Sequence, residues 1–183
     1  MKNRLLTLLI TLALALLLPP LATAQKFNQE LAAGSVLETI KKRGSVKIGM
    51  STFIPWAMRD KNGQLIGYEI DVATRLAEDM GVKAEFVPTA WDGIIPALLT
   101  GKFDLIIGGM SITPERNLTV NFTAPYANSG THLVANKELA ASFNSLEDFN
   151  KPEVVLTARR GATPATAARR LLPKATLRQF DED

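Results

Sequence analysis

"DLIIGGMSITPER", residues Asp104–Arg116, carries the reading of the fold. Its first half, Asp104 to Gly109, is a short continuous apolar run of the kind that a strand buried on both faces requires. Its second half is a loop leaving the end of that strand. Thr113 suits a helix N-cap, Pro114 the first helical position, and Glu115 complements the helix dipole. Arg116, in the same first turn, sits against the partly positive end of that dipole. Two readings stand at this point: a surface arginine paired with Glu115 or Asp104, or an arginine that faces an anion brought by a ligand.

Upstream, "VLETIKKRGSVKIGM" predicts a short helix with Val36, Leu37 and Ile40 on one face, stopped by Gly44, then a strand from Val46 to Met50. "GYEIDVATRLAEDMG" places Ile70, Ala73, Leu76, Ala77 and Met80 at helical spacing, with Gly81 as the C-cap. "KAEFV" is a strand and "WDGIIPALLTGK" a second apolar-faced helix. Strand and helix alternating in this order predict an α/β fold: a parallel sheet with helices on both faces, whose ligands bind outside the carboxyl ends of the strands. Downstream, "THLVANKEL" is expected as one more strand, and the composition changes near His132. "VVLTA" then runs into "RRGATPATAARRLL", a second loop between a strand and a helix. A ligand could be gripped between the two loops.

The chain begins with a basic start (Lys2, Arg4), an uncharged apolar run of 14 residues from Leu5 to Leu18, a Pro19-Pro20 break and a small-residue ending at Ala22-Thr-Ala24. That order predicts a secretory signal peptide over 1–24, cleaved after Ala24, because a membrane span needs about 20 apolar residues. Residues 25–35 are polar and small, and are expected as a loose extension. Losing Lys2 and Arg4 leaves 19 of the 21 basic residues against 18 acidic ones, a net charge of +1 in place of +3. A basic surface for nucleic acid therefore has no support. With no cysteine, an exported chain must rely on its core, and a single histidine, His132, argues against a histidine-based metal site or a Ser-His nucleophile.

The loop at Gly108–Arg116 has the parts of a carboxylate site. Gly108 and Gly109 let the backbone approach a bound group, Ser111 offers its N–H and its hydroxyl, and Arg116 supplies a planar fork. Phe53, in "STFIPW", and Trp91, in "TAWDGIIP", could flank the same crevice or belong to the core; Trp56 and Phe86 are assigned to the core. Arg159 to Thr163 is either a second set of donors or a surface turn with solvated arginines.

Taken together, "RGSVKIGM", "FIPWAMRDKNGQLIGYEIDVATRLAEDMGVKAEFV", "WDGIIPALLTGKFDLIIGGMSITPERNLTVNFTAPY" and "RRGATP" resemble the family 3 extracellular solute-binding proteins, the amino-acid-binding periplasmic proteins of ABC importers. The resemblance covers Val36 to about Leu177. It implies a periplasmic-binding-protein-like type II fold of two lobes, each a mostly parallel sheet flanked by helices. Residues 36–132 would form the first lobe, and 133–183 the hinge crossing and the start of a second. By resemblance, Arg116 clamps the ligand α-carboxylate and Ser111 donates to it. The Gly109 carbonyl accepts from the α-amine, Thr163 reaches the carboxylate from the second lobe, and Arg159 lines the pocket nearby. Phe53 and Trp91 sandwich the ligand side chain.

The implied protein is a monomeric, non-catalytic receptor for a free amino acid. It would work in the periplasm, deliver its ligand to an inner-membrane ABC permease, and need neither metal nor cofactor. Many relatives with cationic or polar ligands carry an acid where Met50 stands, which points here to a neutral side chain. The usual Gly-Thr of the second loop is Gly161-Ala162. The second-lobe acid and the return crossing expected of the family do not appear before Asp183, so the second lobe is expected to be incomplete, as in a fragment. Two alternatives remain open: a periplasmic dehydratase on the same fold, and a ligand-sensing module of a larger protein.

Overall fold

The computed structural model describes residues 35–181. The expected signal peptide and nearly all of the 25–35 extension lie outside the described residues. The chain divides into two compact units, Met1–Arg43 and Gly44–Asp183. In the first, helix α1 (Val36–Arg43) has Glu38 in its first turn and Lys41, Lys42 and Arg43 in its last, the arrangement its dipole favours.

The second unit is built on a three-stranded parallel sheet of order β4-β1-β5, formed by β1 (Ser45–Met50), β4 (Lys83–Pro88) and β5 (Leu105–Ile106). Between them run a short hairpin of β2 (Met58–Arg59) and β3 (Leu65–Ile66), helix α2 (Tyr68–Asp79) and helix α3 (Ile94–Leu99), the last preceded by a single 3₁₀ turn at Trp91–Gly93. Side chains alternate across a pleated strand, so the register assigns the faces. Met50 packs with Ala57 and with Ile70 of α2, joined by Phe86 of β4, whose register partner on β1 is Ile48. The opposite face carries Gly49, Val87 and Ile106, which meet Phe103 and Ile94 of α3. Phe103 lies so close to the strand that a Cβ at Gly49 would fall 2.3 Å from its ring. Helices on both faces of a parallel sheet follow the expectation.

The strand buried on both faces is β1, not Asp104–Gly109. Only Leu105 and Ile106 pair as strand, and both are half-buried, because β5 is an edge with β1 as its one neighbour. The Asp104 carboxylate accepts from the Lys47 backbone N–H at 2.7 Å and fastens that edge. Helix α2 ends as expected at Gly81: Gly81 N–H donates to Glu78 O and Val82 N–H to Ala77 O, a Schellman closure with φ +67° at the glycine.

Residues 131–139 form no strand. Leu133, Val134 and Leu139 are exposed, and among the described residues no strand lies beside them. Asn136 Oδ1 instead accepts from the N–H groups of Glu138 and Leu139 and turns the chain. A 3₁₀ turn at Leu146–Phe149 follows, and then β6 (Val155–Arg159), helix α5 (Thr163–Leu171) and β7 (Thr176–Phe180). Strands β6 and β7 pair in parallel, from Val155 against Thr176 to Arg159 against Phe180.

Candidate functional site

Four strand ends deliver the candidate residues to one place. Phe53 follows β1, Trp91 follows β4, Gly109 and Ser111 follow β5, and Arg159 closes β6. With Arg116 and Thr163, all of them line a single cavity of about 440 Å³. This is where a parallel sheet presents its loop amides and side chains to a ligand.

Arg116 is aimed by its own helix start. Helix α4 (Pro114–Asn117) is one turn long, and the Thr113 hydroxyl caps it by accepting the Arg116 N–H at 3.3 Å. Glu115 is held below the usual carboxylate range, first by its own backbone N–H and then by the Thr113 hydroxyl. The guanidinium of Arg116 donates from Nη1 to Ser111 O at 2.8 Å and from Nη2 to Gly161 O at 3.1 Å. Among the described residues it makes no salt bridge at contact distance, and Glu115 acts on it only through the attraction of opposite charges. Desolvation pulls its pKa down and outweighs the opposing Glu115 charge.

Trp91 is both core and wall. It is 9% exposed and packs on Ile94 and Phe103, while its ring faces two guanidiniums, with Arg116 Cζ at 5.8 Å and Arg159 Cζ at 5.5 Å from its centroid. Arg159 donates from Nη1 to Thr52 O at 3.1 Å and from Nη2 to Ser51 Oγ. It is therefore tied to the end of β1 rather than solvated on a surface turn. Across the cavity, Ser111 Oγ and Thr163 Oγ1 stand 3.5 Å apart.

Phe53 is fixed by a tight bridge, its N–H donating to Ala57 O at 2.7 Å and its carbonyl accepting from Ala57 N–H at 2.9 Å. Its ring lies against Gly109, whose φ of +64° suits glycine, and a Cβ there would stand 2.9 Å from Phe53 Cζ. Trp56, assigned to the core, is 44% exposed and stacks edge-on with Tyr68 instead. Met50 is fully buried in the β1–α2 core and lines no cavity described here.

Sequence reasoning missed Glu69 and Tyr126. Glu69, an acid in the first turn of α2, where the helix dipole alone would account for it, is 3% exposed, and its Oε2 accepts the Tyr126 hydroxyl. Burial, and then this hydrogen bond, push the Tyr126 phenol well above the usual tyrosine range. A signal was present: Glu69 lies at i−4 and i−8 to Ala73 and Ala77, on the stripe that α2 buries.

Known proteins resemble this chain in sequence and in fold. The profile of the bacterial extracellular solute-binding proteins, family 3, matches residues 46–174. A probable amino-acid ABC transporter-binding protein of Haemophilus influenzae is 32% identical over 148 residues, which is 80% of this chain and 54% of that protein. Cyclohexadienyl dehydratase of Pseudomonas aeruginosa is 31% identical over 158 residues, 86% of this chain and 58% of the enzyme. The crystal structure of the ancestral amino acid-binding protein AncCDT-1, a precursor of cyclohexadienyl dehydratase, superposes with a TM-score of 0.79 at 48% identity, covering 81% of this chain and 66% of that one. The chain belongs to family 3 of the bacterial extracellular solute-binding proteins and has the periplasmic-binding-protein type II fold. It spans about half the length of the curated relatives it matches.

Proposed function

We propose that this chain is the ligand-binding component of an ABC-type amino-acid importer. It would hold a free amino acid in the cavity at the strand ends and present it to a membrane permease from the periplasm. The observation that carries this reading is Arg116: a desolvated guanidinium, with no salt bridge at contact distance among the described residues, facing a cavity where the Ser111 and Thr163 hydroxyls converge. A ligand α-carboxylate supplies an anion at contact distance, and in binding it displaces the two carbonyls that Arg116 now contacts. The Gly109 carbonyl takes the α-amine, Phe53 and Trp91 flank the side chain, and Arg159 braces the wall beside Thr163. The amino-acid-binding names of the Haemophilus relative and of the ancestral protein support the same class of ligand. The leader pattern at 1–24 supports export.

The dehydratase relative favours a second reading, turnover of a carboxylate-bearing cyclic substrate. That chemistry needs a proton donor or acceptor at the reacting carbon. The charged side chains lining the cavity are Arg116 and Arg159, which bind anions but do not transfer protons at neutral pH. Binding without turnover is the better reading because the Haemophilus relative and the ancestral protein are named for binding rather than for catalysis. Calorimetric titration of the purified chain with the common L-amino acids should show saturable heat for at least one. Arg116→Ala should weaken that binding by about 1.5 to 3 kcal/mol, the worth of a hydrogen bond to a charged group. Release of an aromatic product from a cyclohexadienyl carboxylate, or no heat with any amino acid, would overturn the reading.

A further inference from the structure

The polar contacts that cross the cavity differ in what a bound amino acid does to them. Arg116 Nη2 donates to Gly161 O at 3.1 Å, but a bound α-carboxylate takes that donor over. Ser111 Oγ and Thr163 Oγ1 stand 3.5 Å apart, and both hydroxyls turn to the same carboxylate. The contacts of Arg159 engage no group assigned to the ligand. Its Nη1 donates to Thr52 O at 3.1 Å and its Nη2 to Ser51 Oγ, and neither Ser51 nor Thr52 lines the cavity.

Both ends of this link are anchored in a sheet. Arg159 is the last residue of β6 and pairs with Phe180 of β7. Ser51 directly follows β1 and is 4% exposed, and the carbonyl of Met50 before it accepts the Thr89 N–H at 2.9 Å. The guanidinium is served by a carbonyl, a buried hydroxyl and the face of Trp91, 5.5 Å from its Cζ. Ligand binding therefore leaves the link in place, whereas parting the two sheets breaks it. A hydrogen bond donated by a cation is stronger than one between neutral groups, so that parting is resisted.

We propose that Ser51 and Arg159 form a tether that sets how long a bound amino acid stays: the ligand leaves when the two sheets part, and they part when Arg159 lets go of Ser51. The inference rests on the amino-acid-binding reading above. Ser51 is in this account a positioning residue, acting on the ligand through Arg159 without touching it. The tether favours the closed arrangement with or without ligand, so its loss speeds release and does not slow entry.

The test follows Trp91 emission by stopped flow in the Trp56→Phe background of the full chain, with each of the common L-amino acids as probe. Ser51→Ala and Arg159→Met should each release the bound amino acid about tenfold or more faster, the worth of a hydrogen bond to a charged group. Association should not slow in either variant. Adding Ser51→Ala to Arg159→Met should change the release rate by less than about twofold, because two residues acting as one unit are not additive. Should Arg159→Met fail to fold, Arg159→Lys, which keeps the charge but loses the fork, takes its place in the same comparison. An unchanged release rate in Ser51→Ala overturns the proposal and leaves the amino-acid-binding reading standing. So does slower association in Ser51→Ala, or effects that multiply in the double variant, as they would if Arg159 held the ligand directly. Absence of binding by every amino acid sinks both.

Discussion

Tyr126 and Glu69 are joined by one hydrogen bond, and its consequences appear in the pH dependence of stability. Burial and the Glu69 acceptor both favour the neutral phenol, so the native state holds the Tyr126 proton more tightly than the unfolded chain does. Tyrosine in an unfolded chain ionises near pH 10, hence the contribution is complete below about that pH and is lost as pH rises toward the raised native value. Urea midpoints measured from about pH 8 to 11 should fall at the alkaline end for the wild type, and more gently for Tyr126→Phe. Parallel slopes for the two proteins would show that the phenol is not held in this way. The same pair marks the limit of the sequence at this scale. Arg116 could be singled out because a cation at a helix start violates a local electrostatic rule. Glu69 obeys the same rule, so its burial stayed hidden behind a sufficient local explanation.

Helices α1 and α2 and strands β1 and β4 were visible in advance because each has a period of its own, 3.6 or 2, and a glycine, Gly44 or Gly81, parts each helix from the strand after it. The shortness of β5 and the absence of a strand over 131–139 were not, since both depend on what lies alongside: β5 has one neighbour, and 131–139 has none among the described residues. The join between the hairpin and α2 was hidden for the same reason. Gly67 adopts φ +123° at the N-cap of α2, and a Cβ on it would stand 2.3 Å from Trp56 O, the carbonyl that also accepts the Glu69 N–H. Gly67→Ala therefore forces an unfavourable backbone conformation and a clash with backbone that cannot swing aside. It should cost about 2 kcal/mol or more, seen as a lower urea midpoint at unchanged slope. A variant as stable as wild type would mean that the start of α2 is looser than this geometry.

At the scale of the whole unit, the cavity is enclosed by parts that touch through few polar contacts. Arg116 reaches Gly161 O, Ser111 approaches Thr163, and Arg159 spans to Ser51 and Thr52; each joins the β4-β1-β5 sheet and its loops to the β6-α5-β7 segment. A ligand bound to Arg116 on one side and Thr163 on the other adds a bridge where these contacts are sparse, and a ligand that binds only the folded chain stabilises it by mass action. At about 100 times its dissociation constant, the bound amino acid should raise the unfolding free energy by about 2.7 kcal/mol. The chain has two tryptophans, and Trp56→Phe leaves Trp91, in the cavity wall, as the only emitter. Its fluorescence should change with the same midpoint in ligand as the calorimetric heat, and the melting temperature of that variant should climb with ligand concentration. In Trp56→Phe/Arg116→Ala both responses should shift together to much higher ligand concentration. Stabilisation without any change in Trp91 emission would place the ligand elsewhere on the molecule.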